Sequence, residues 1–318
     1  MKLRILSSKD VDKLLPMPQA IQQMRKAFGD LSAGRAVMPM RSCVETESGD
    51  IHLMPAYLKD AALSVKTVLT YPGNREHSLP VVQGVIMVFD PATGTPQAVM
   101  DCRRLTAIRT AAGGGLAIEL LARPDSHVLL LIGAGVQGRM QAEAAMVTRD
   151  IRKIFVTDMH RASAEEFRAA VVARPNAPEV TVIDSADQAV GQADIVVTAT
   201  TSHTPTFDGR LLRPGTHVTA IGSYRPERRE VDTHTVQQAY VVVDSRHSAA
   251  AEAGDLIIPQ REPDAELGEV VNGTAAGRSD ERQITLFKSV GVAVQDTAVA
   301  GWVLQQAETQ DVGVLVDV

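Results

Sequence analysis

The chain has 318 residues, 45% of them hydrophobic and 22% charged, with a formal net charge of −6. That balance belongs to a soluble globular protein of one large or two medium domains, with enough apolar side chains for its own core. No basic run occurs and aromatics make up only 3%, which excludes the phosphate-tracking groove and stacking platforms of a nucleic-acid binder.

The opening "MKLRILSSKD" is charged at once and has no apolar centre, so it does not read as a signal peptide. A helix is expected over "PQAIQQMRKAFGDLSAG", where Ile21, Met24, Ala27, Phe28 and Leu31 recur at helical spacing and Gly34 is a stop. Strand-like segments follow: "MRSCVETE", "DIHLMPAYL", "ALSVKTVLTYP", "PVVQGVIMVFD" and "PQAVMDC". Their short connections favour antiparallel neighbours. Lys66 stands in the middle of the third, either solvated or aimed at an anion. A helix over "LTAIRTAAGGGLAIELLAR" begins near Thr106 and ends before Pro124. Within it Gly113, Gly114 and Gly115 each cost roughly 1 kcal/mol relative to alanine, so another backbone or a ligand is expected close by.

After residue 122 the rhythm changes. Six short apolar strands, from "HVLLLIG" to "AYVVVDS", alternate with helical stretches. Ser163 and Glu166 open one helix at capping-box spacing, and "SADQAVGQ" reads as a short helix. Buried parallel strands look like this, and the alternation predicts a doubly wound sheet. The fold class expected is therefore α/β, a Rossmann-type doubly wound parallel sheet beside an α+β domain with a mostly antiparallel sheet. Residues 1–122 form the second of these and 123–296 the first. The tail carries a strand-like "ITLF" and a final helix, with Asp296 a candidate cap. Cys43 and Cys102 are too few and too far apart for a disulfide framework or a zinc site, and both are expected reduced in a cytoplasmic protein. No apolar run approaches a membrane span. The histidines show no ligand spacing, so no metal is expected.

"LLLIGAGVQGRMQ" sets Gly133, Gly135 and Gly138 in a G-x-G-x-x-G array between strand and helix. That context suits a dinucleotide pyrophosphate: a tight turn, close backbone approach, and close helix packing, with helix N–H groups on the phosphates. Val136 and Gln137 complete the turn. Asp158 ends the next strand, where a carboxylate accepts from ribose hydroxyls and repels a 2′-phosphate. NAD(H) is thus preferred, with NADP(H) the alternative through Arg161. Thr198, Thr200 and Ser223 end strands on the carboxyl edge, where cofactors lie.

Taken together, "DIHLMPAY", "VKTVLTYPGN", "DPATGTPQAVMDCRRLTAIRTAA", "IGAGVQG", "IGSYRPERREVD" and "LFKSVGVAVQDTAVA" resemble the ornithine cyclodeaminase/mu-crystallin family over essentially the whole chain. The resemblance implies an NAD(P)-binding domain, a substrate domain to which the C-terminal segment, residues 297–318, returns, and a homodimer built through the substrate domains. It implies that Arg41, Lys66 and Arg109 grip a substrate carboxylate; from the residues alone the alternative for each is a solvated surface charge. It also implies that Lys288, Ser289 and Asp296 lie toward the nicotinamide side.

Two positions depart from the family pattern. Tyr224 stands where the cyclodeaminases carry a catalytic aspartate, and His52 where they carry a glutamate. Tyrosine, with a pKa about 10, is no ionised partner for an ammonium at neutral pH. A reductase needs none. The expected activity is therefore NAD(H)-dependent chemistry at the C2–N bond of a small amino or imino acid, foremost reduction of a cyclic 2-imino acid (a ketimine). His52, Lys66 or Tyr224 would supply the proton. An ornithine cyclodeaminase, an alanine-type dehydrogenase and a non-catalytic dinucleotide-binding protein are the alternatives.

Overall fold

The computed structural model describes residues 2–59 and 61–318, with Arg75 described by its backbone alone. In chain order the elements begin β1 (Lys2–Leu6), α1 (Ser8–Leu14), α2 (Met17–Ser32), β2 (Ala36–Val37), β3 (Ser42–Glu45), β4 (Asp50–Leu58), β5 (Ala62–Thr70), β6 (Val82–Phe89), β7 (Pro96–Asp101) and α3 (Cys102–Leu121). They continue β8 (Val128–Ile132), α4 (Val136–Thr148), β9 (Lys153–Thr157), α5 (Arg161–Val172), β10 (Glu179–Val182), β11 (Ile195–Thr198), β12 (His217–Ala220), α6 (Thr233–Gln238) and β13 (Tyr240–Val243). The chain closes with α7 (Arg246–Glu252), α8 (Gly254–Ile257), β14 (Ala265–Glu266), α9 (Leu267–Val271), β15 (Thr285–Lys288), α10 (Ala293–Thr309) and β16 (Val314–Asp317).

Two compact units result, residues 1–109 with 292–318, and residues 110–291. The sequence suggested divisions at 122/123 and 296/297. The first unit ends inside α3, because that helix runs on without a break, and all of α10 belongs to the first unit.

In the first unit the strand order is β16-β1-β7-β6-β5-β4-β2, with β3 also paired to β4. All pairings are antiparallel except β1 with β7. Alternate residues of β4 (His52, Met54, Ala56, Leu58) are buried. They share a face with Ser64 and Lys66 of β5 and with Ile86 and Val88 of β6. Helices α2 and α10 pack together, and α10 lies on β4, β5 and β6. It comes so close that a Cβ at Gly301 would sit 2.8 Å from the Ala62 Cβ.

In the second unit the order is β10-β9-β8-β11-β12-β15-β13-β14, parallel throughout. Successive residues of β8 enter opposite cores: Leu130 and Ile132 join Val196 and Val218 on one face, Leu129 and Leu131 join Ile154 and Val197 on the other. Burial on both faces is why these strands read as continuous apolar runs.

Three local expectations change. "SADQAVGQ" forms two 3₁₀ turns, Ala186–Gln188 and Val190–Gln192. Ser163 lies inside α5, which starts at Arg161 after His160, so no capping box forms there, and Glu166 pairs with Arg139 at 3.0 Å. The glycine run of α3 accommodates α4: a Cβ at Gly114 would lie 2.1 Å from the Gln141 carboxamide oxygen, and the Gln141 amide donates to the Thr110 carbonyl at 3.0 Å. Among the described residues no helix is long and apolar enough to cross a membrane.

Candidate functional site

Lys66 is 1% exposed. The pleat turns it inward with Ser64, onto the face that α10 covers, so it is not a solvated lysine. Its Nζ lies 2.6 Å from Oδ2 of Asp296, on α10. Oδ1 of the same carboxylate accepts from Nε of Arg109, on α3, at 2.9 Å. Arg109 Nη1 donates to the Gln295 carboxamide oxygen at 2.8 Å, and that oxygen also accepts the Val292 N–H at 3.0 Å. Two cations and one carboxylate thus form a single buried assembly, Asp296 being fully enclosed.

Burial works against charge on both Lys66 and Asp296. It pulls Lys66 down from its ordinary 10.5 to about 8, against the opposing pull of Asp296, with Arg109 adding to the depression. At Asp296 burial acts upward, but Arg109 and then Lys66 outweigh it and the carboxyl titrates below its ordinary value. Cys102, at the start of α3, is pushed by burial up to about 11 and stays a neutral thiol.

His52 shares this face. It pairs across the sheet with Val68, one diagonal step from Lys66. It is 8% exposed, with Nε2 3.6 Å from Asp50 Oδ1. Arg41 is half-buried and precedes β3. The pairing of β3 with β4 starts at Ser42↔Leu53, so Arg41 lies one residue ahead of it. The first unit therefore gathers His52, Lys66 and Arg109 about one face, with Arg41 in the segment that leads into β3. Asp296 is not the cap the sequence offered. α10 starts after Val292, and Asp296 lies within its first turns, facing the two cations. The missed signal was a lone acid in the small-residue helix "AVQDTAVAG", the counterpart of lone Arg109 in α3.

In the second unit the glycine turn has the properties a dinucleotide demands. Gly133 has φ +97°, and a Cβ there would meet the Ala199 carbonyl oxygen at 2.6 Å. A Cβ at Gly138 would fall 1.8 Å from the Gly133 carbonyl oxygen, so α4 can sit this close only with glycine there. Gly135 has nothing within 4 Å of its ideal Cβ. It leaves open space at the N-terminus of α4, where unpaired N–H groups favour an anion. Val136 is exposed and Gln137 half-buried beside it. These residues fit a pyrophosphate group.

Asp158 ties the turn to β9, accepting the N–H of Ala134 at 2.8 Å through one oxygen and of His160 at 2.8 Å through the other. Arg161 pairs with Asp184 and lies 3.6 Å from Glu165. Thr198 is fully buried at the end of β11. Thr200 is held by Glu230, which accepts both its N–H and its hydroxyl at 2.7 Å. Glu230 also accepts the Gly222 N–H at 2.6 Å. The Ser223 hydroxyl donates to the Arg228 carbonyl at 3.1 Å, and its own carbonyl accepts from Lys288 at 2.6 Å. Lys288 in turn pairs with Asp255 at 2.8 Å, and Ser289 donates to Asp244 at 2.8 Å. Tyr224 is half-buried in the same loop, with the Arg225 guanidinium 5.9 Å from its ring centroid. It belongs to a different unit from Lys66 and His52.

A profile of the ornithine cyclodeaminase/mu-crystallin family matches residues 1–311. The chain belongs to this family. A Δ1-pyrroline-2-carboxylate reductase of Bacillus cereus is 35% identical to it over 320 aligned positions, covering 97% of this chain and 98% of the relative. Among solved structures, the Δ1-pyrroline-2-carboxylate reductase of Thermococcus litoralis, in complex with NADH and L-proline, matches with a TM-score of 0.94 at 39% identity, covering 99% of this chain and 100% of its own. An archaeal alanine dehydrogenase dimer with bound NAD matches with a TM-score of 0.94 at 33% identity, covering 100% of this chain and 99% of its own. The α/β fold, the Rossmann-type sheet and membership in a family of oxidoreductases follow from these likenesses.

Proposed function

We propose that this protein is an NAD(H)-dependent reductase of a cyclic 2-imino acid, with Δ1-pyrroline-2-carboxylate, the imine that yields proline, as its first candidate substrate. The observation that carries this is the buried assembly of Lys66, Asp296 and Arg109. It holds two cations in place while leaving N–H groups of both unspent, since Arg109 Nη2 makes no hydrogen bond among the described residues. The named relatives support the choice of substrate class, as the Bacillus cereus and Thermococcus litoralis proteins are both reductases of that imine.

The substrate carboxylate accepts hydrogen bonds from Arg41, Lys66 and Arg109, charge-assisted and directional. That fixes C2, and positioning of this kind supplies much of a rate enhancement. Reduced nicotinamide, when bound, supplies a hydride to C2. As the C=N electron pair withdraws onto nitrogen, it takes a proton from the Lys66 ammonium, and the neutral amine left behind regains one from water. A group titrating at about 8 suits proton donation near neutral pH; His52 and Tyr224 are the other donors to be tested by substitution. NAD(H) is favoured over NADP(H), because Asp158 stands at the end of β9 and Arg161 is already engaged by Asp184 and Glu165. The enzyme works as a cytoplasmic homodimer.

Alanine-type dehydrogenation is the second activity, favoured by the likeness to the archaeal enzyme. Purified protein incubated with NADH and Δ1-pyrroline-2-carboxylate is expected to consume NADH and form proline. Proline and ammonia from ornithine without net NADH use would instead make it a cyclodeaminase. NADH formation from alanine and NAD, with no turnover of the imine, would make it a dehydrogenase.

A further inference from the structure

Asp296 has no part in the reaction just described, yet it is the most enclosed member of the site. Its two oxygens are taken by different cations from different elements, Lys66 of β5 and Arg109 of α3. Gln295, its neighbour, holds Arg109 and the Val292 N–H with one oxygen, so the start of α10 and the guanidinium are fixed together. The nearby N-terminus of α10 adds a positive field that favours a carboxylate.

Without the carboxylate, two desolvated cations would face each other. One must then yield, and a guanidinium cannot lose its proton, so the lysine does. The groups around Lys66 are Arg109 and Cys102 from α3, His52 and Met54 from β4, Ile86 from β6 and Asp296 from α10. Cys102 is neutral, and Asp296 supplies the negative charge in direct contact. Burial and Arg109 push the ammonium toward losing its proton, and Asp296 pushes back.

We propose that Asp296 is a positioning residue for the reductase: by bridging Lys66 and Arg109 it keeps the buried ammonium charged and aims its remaining N–H bonds at the substrate. The inference rests on the imino-acid reductase assignment for its catalytic consequence, but the state of Lys66 is measurable without turnover.

The test uses the full-length protein with lysine labelled at Cε, the Lys66 signal being assigned by its absence from Lys66→Met. In Asp296→Asn the Lys66 titration midpoint is expected to fall by about one pH unit or more, and the alkaline limb of kcat/KM to fall with it. NADH affinity should stay within about twofold. An unchanged midpoint in Asp296→Asn overturns the proposal. Should Asp296→Asn fail to fold, Asp296→Glu retains the charge and is expected to fold with the midpoint within about half a unit of wild type; a fall there, with the charge retained, also overturns it. If the wild-type protein reduces no cyclic imine, the reductase assignment fails, and the lysine titration still decides whether Asp296 holds the charge.

Discussion

At the scale of single residues, the proposed reaction asks two things of Lys66, a hold on the substrate carboxylate and a proton for the imine nitrogen. Lys66→Met replaces a buried ammonium by an apolar chain of similar length. It is expected to lower kcat/KM for imine reduction on the order of 10²–10⁴-fold, with NADH affinity, measured by fluorescence titration, near wild type. For the wild-type enzyme the pH dependence has a definite sign. The folded-state pKa lies below the ordinary 10.5, at about 8. The active ammonium is therefore present below pH 8 and lost above it, so kcat/KM should fall about tenfold per unit at higher pH. A profile flat to pH 10, or a Lys66→Met variant with normal turnover, would remove Lys66 from the mechanism. Lys66 and Arg109 were legible in the sequence because each is a charge among small or apolar neighbours. The partner that unites them was not. Asp296 is 230 residues from Lys66, and no periodicity connects a carboxylate on a C-terminal helix with a lysine on a strand.

At the scale of elements, the turn between β8 and α4 separates a packing requirement from a binding one. Gly138→Ala puts a methyl 1.8 Å from a backbone oxygen that cannot rotate away. It should lift α4 and cost about 1–3 kcal/mol, read as a lowered Tm, with weakened NADH binding. Gly135→Ala meets nothing within 4 Å, and its φ of −71° suits any residue. Its Tm should stay near wild type while the methyl intrudes where a pyrophosphate would lie, weakening NADH at least about tenfold. Equal NADH affinity in Gly135→Ala and wild type would sink the cofactor assignment for this turn. This element was legible because strand, glycines and helix are adjacent in sequence. β1 and β16 were not. "KLRIL" is ordered by pairing with β7 and with β16, near the far end of the chain, and short charged segments carry no local trace of such partners. Nor does the sequence order reveal that β15 sits between β12 and β13.

At the scale of the whole molecule, the change of rhythm after α3 was visible in the sequence, whereas the return of residues 297–318, most of α10, to the first unit came from the family resemblance and not from any local pattern. A helix of small apolar residues fits either unit by composition, and its packing on α2 and the first sheet, the close approach at Gly301 and the charge on Asp296 commit it to the first. An interface between two copies is expected on the other face of the first unit's sheet. Opposite the face covered by α10, the rows Ser42–Leu53–Thr67–Val85 and Val44–Ile51–Leu69–Gln83 point outward. Within them Val44, Leu53 and Val85 are 51%, 38% and 46% exposed. A contiguous apolar sheet face of this kind marks an interaction surface, and covering it is worth roughly 25 cal/mol per Å² of apolar area. A second copy of the chain is the occupant consistent with the dimeric archaeal relative. Light scattering after size exclusion should therefore give about twice the 34.1 kDa of the chain. Replacing Leu53 and Val85 together by lysine sets like charges on both sides of a two-fold interface. The variant should run as a monomer that retains the far-ultraviolet circular dichroism of the wild type. A wild-type mass of a single chain, or a double variant that remains dimeric, would show that this face is not where two copies meet.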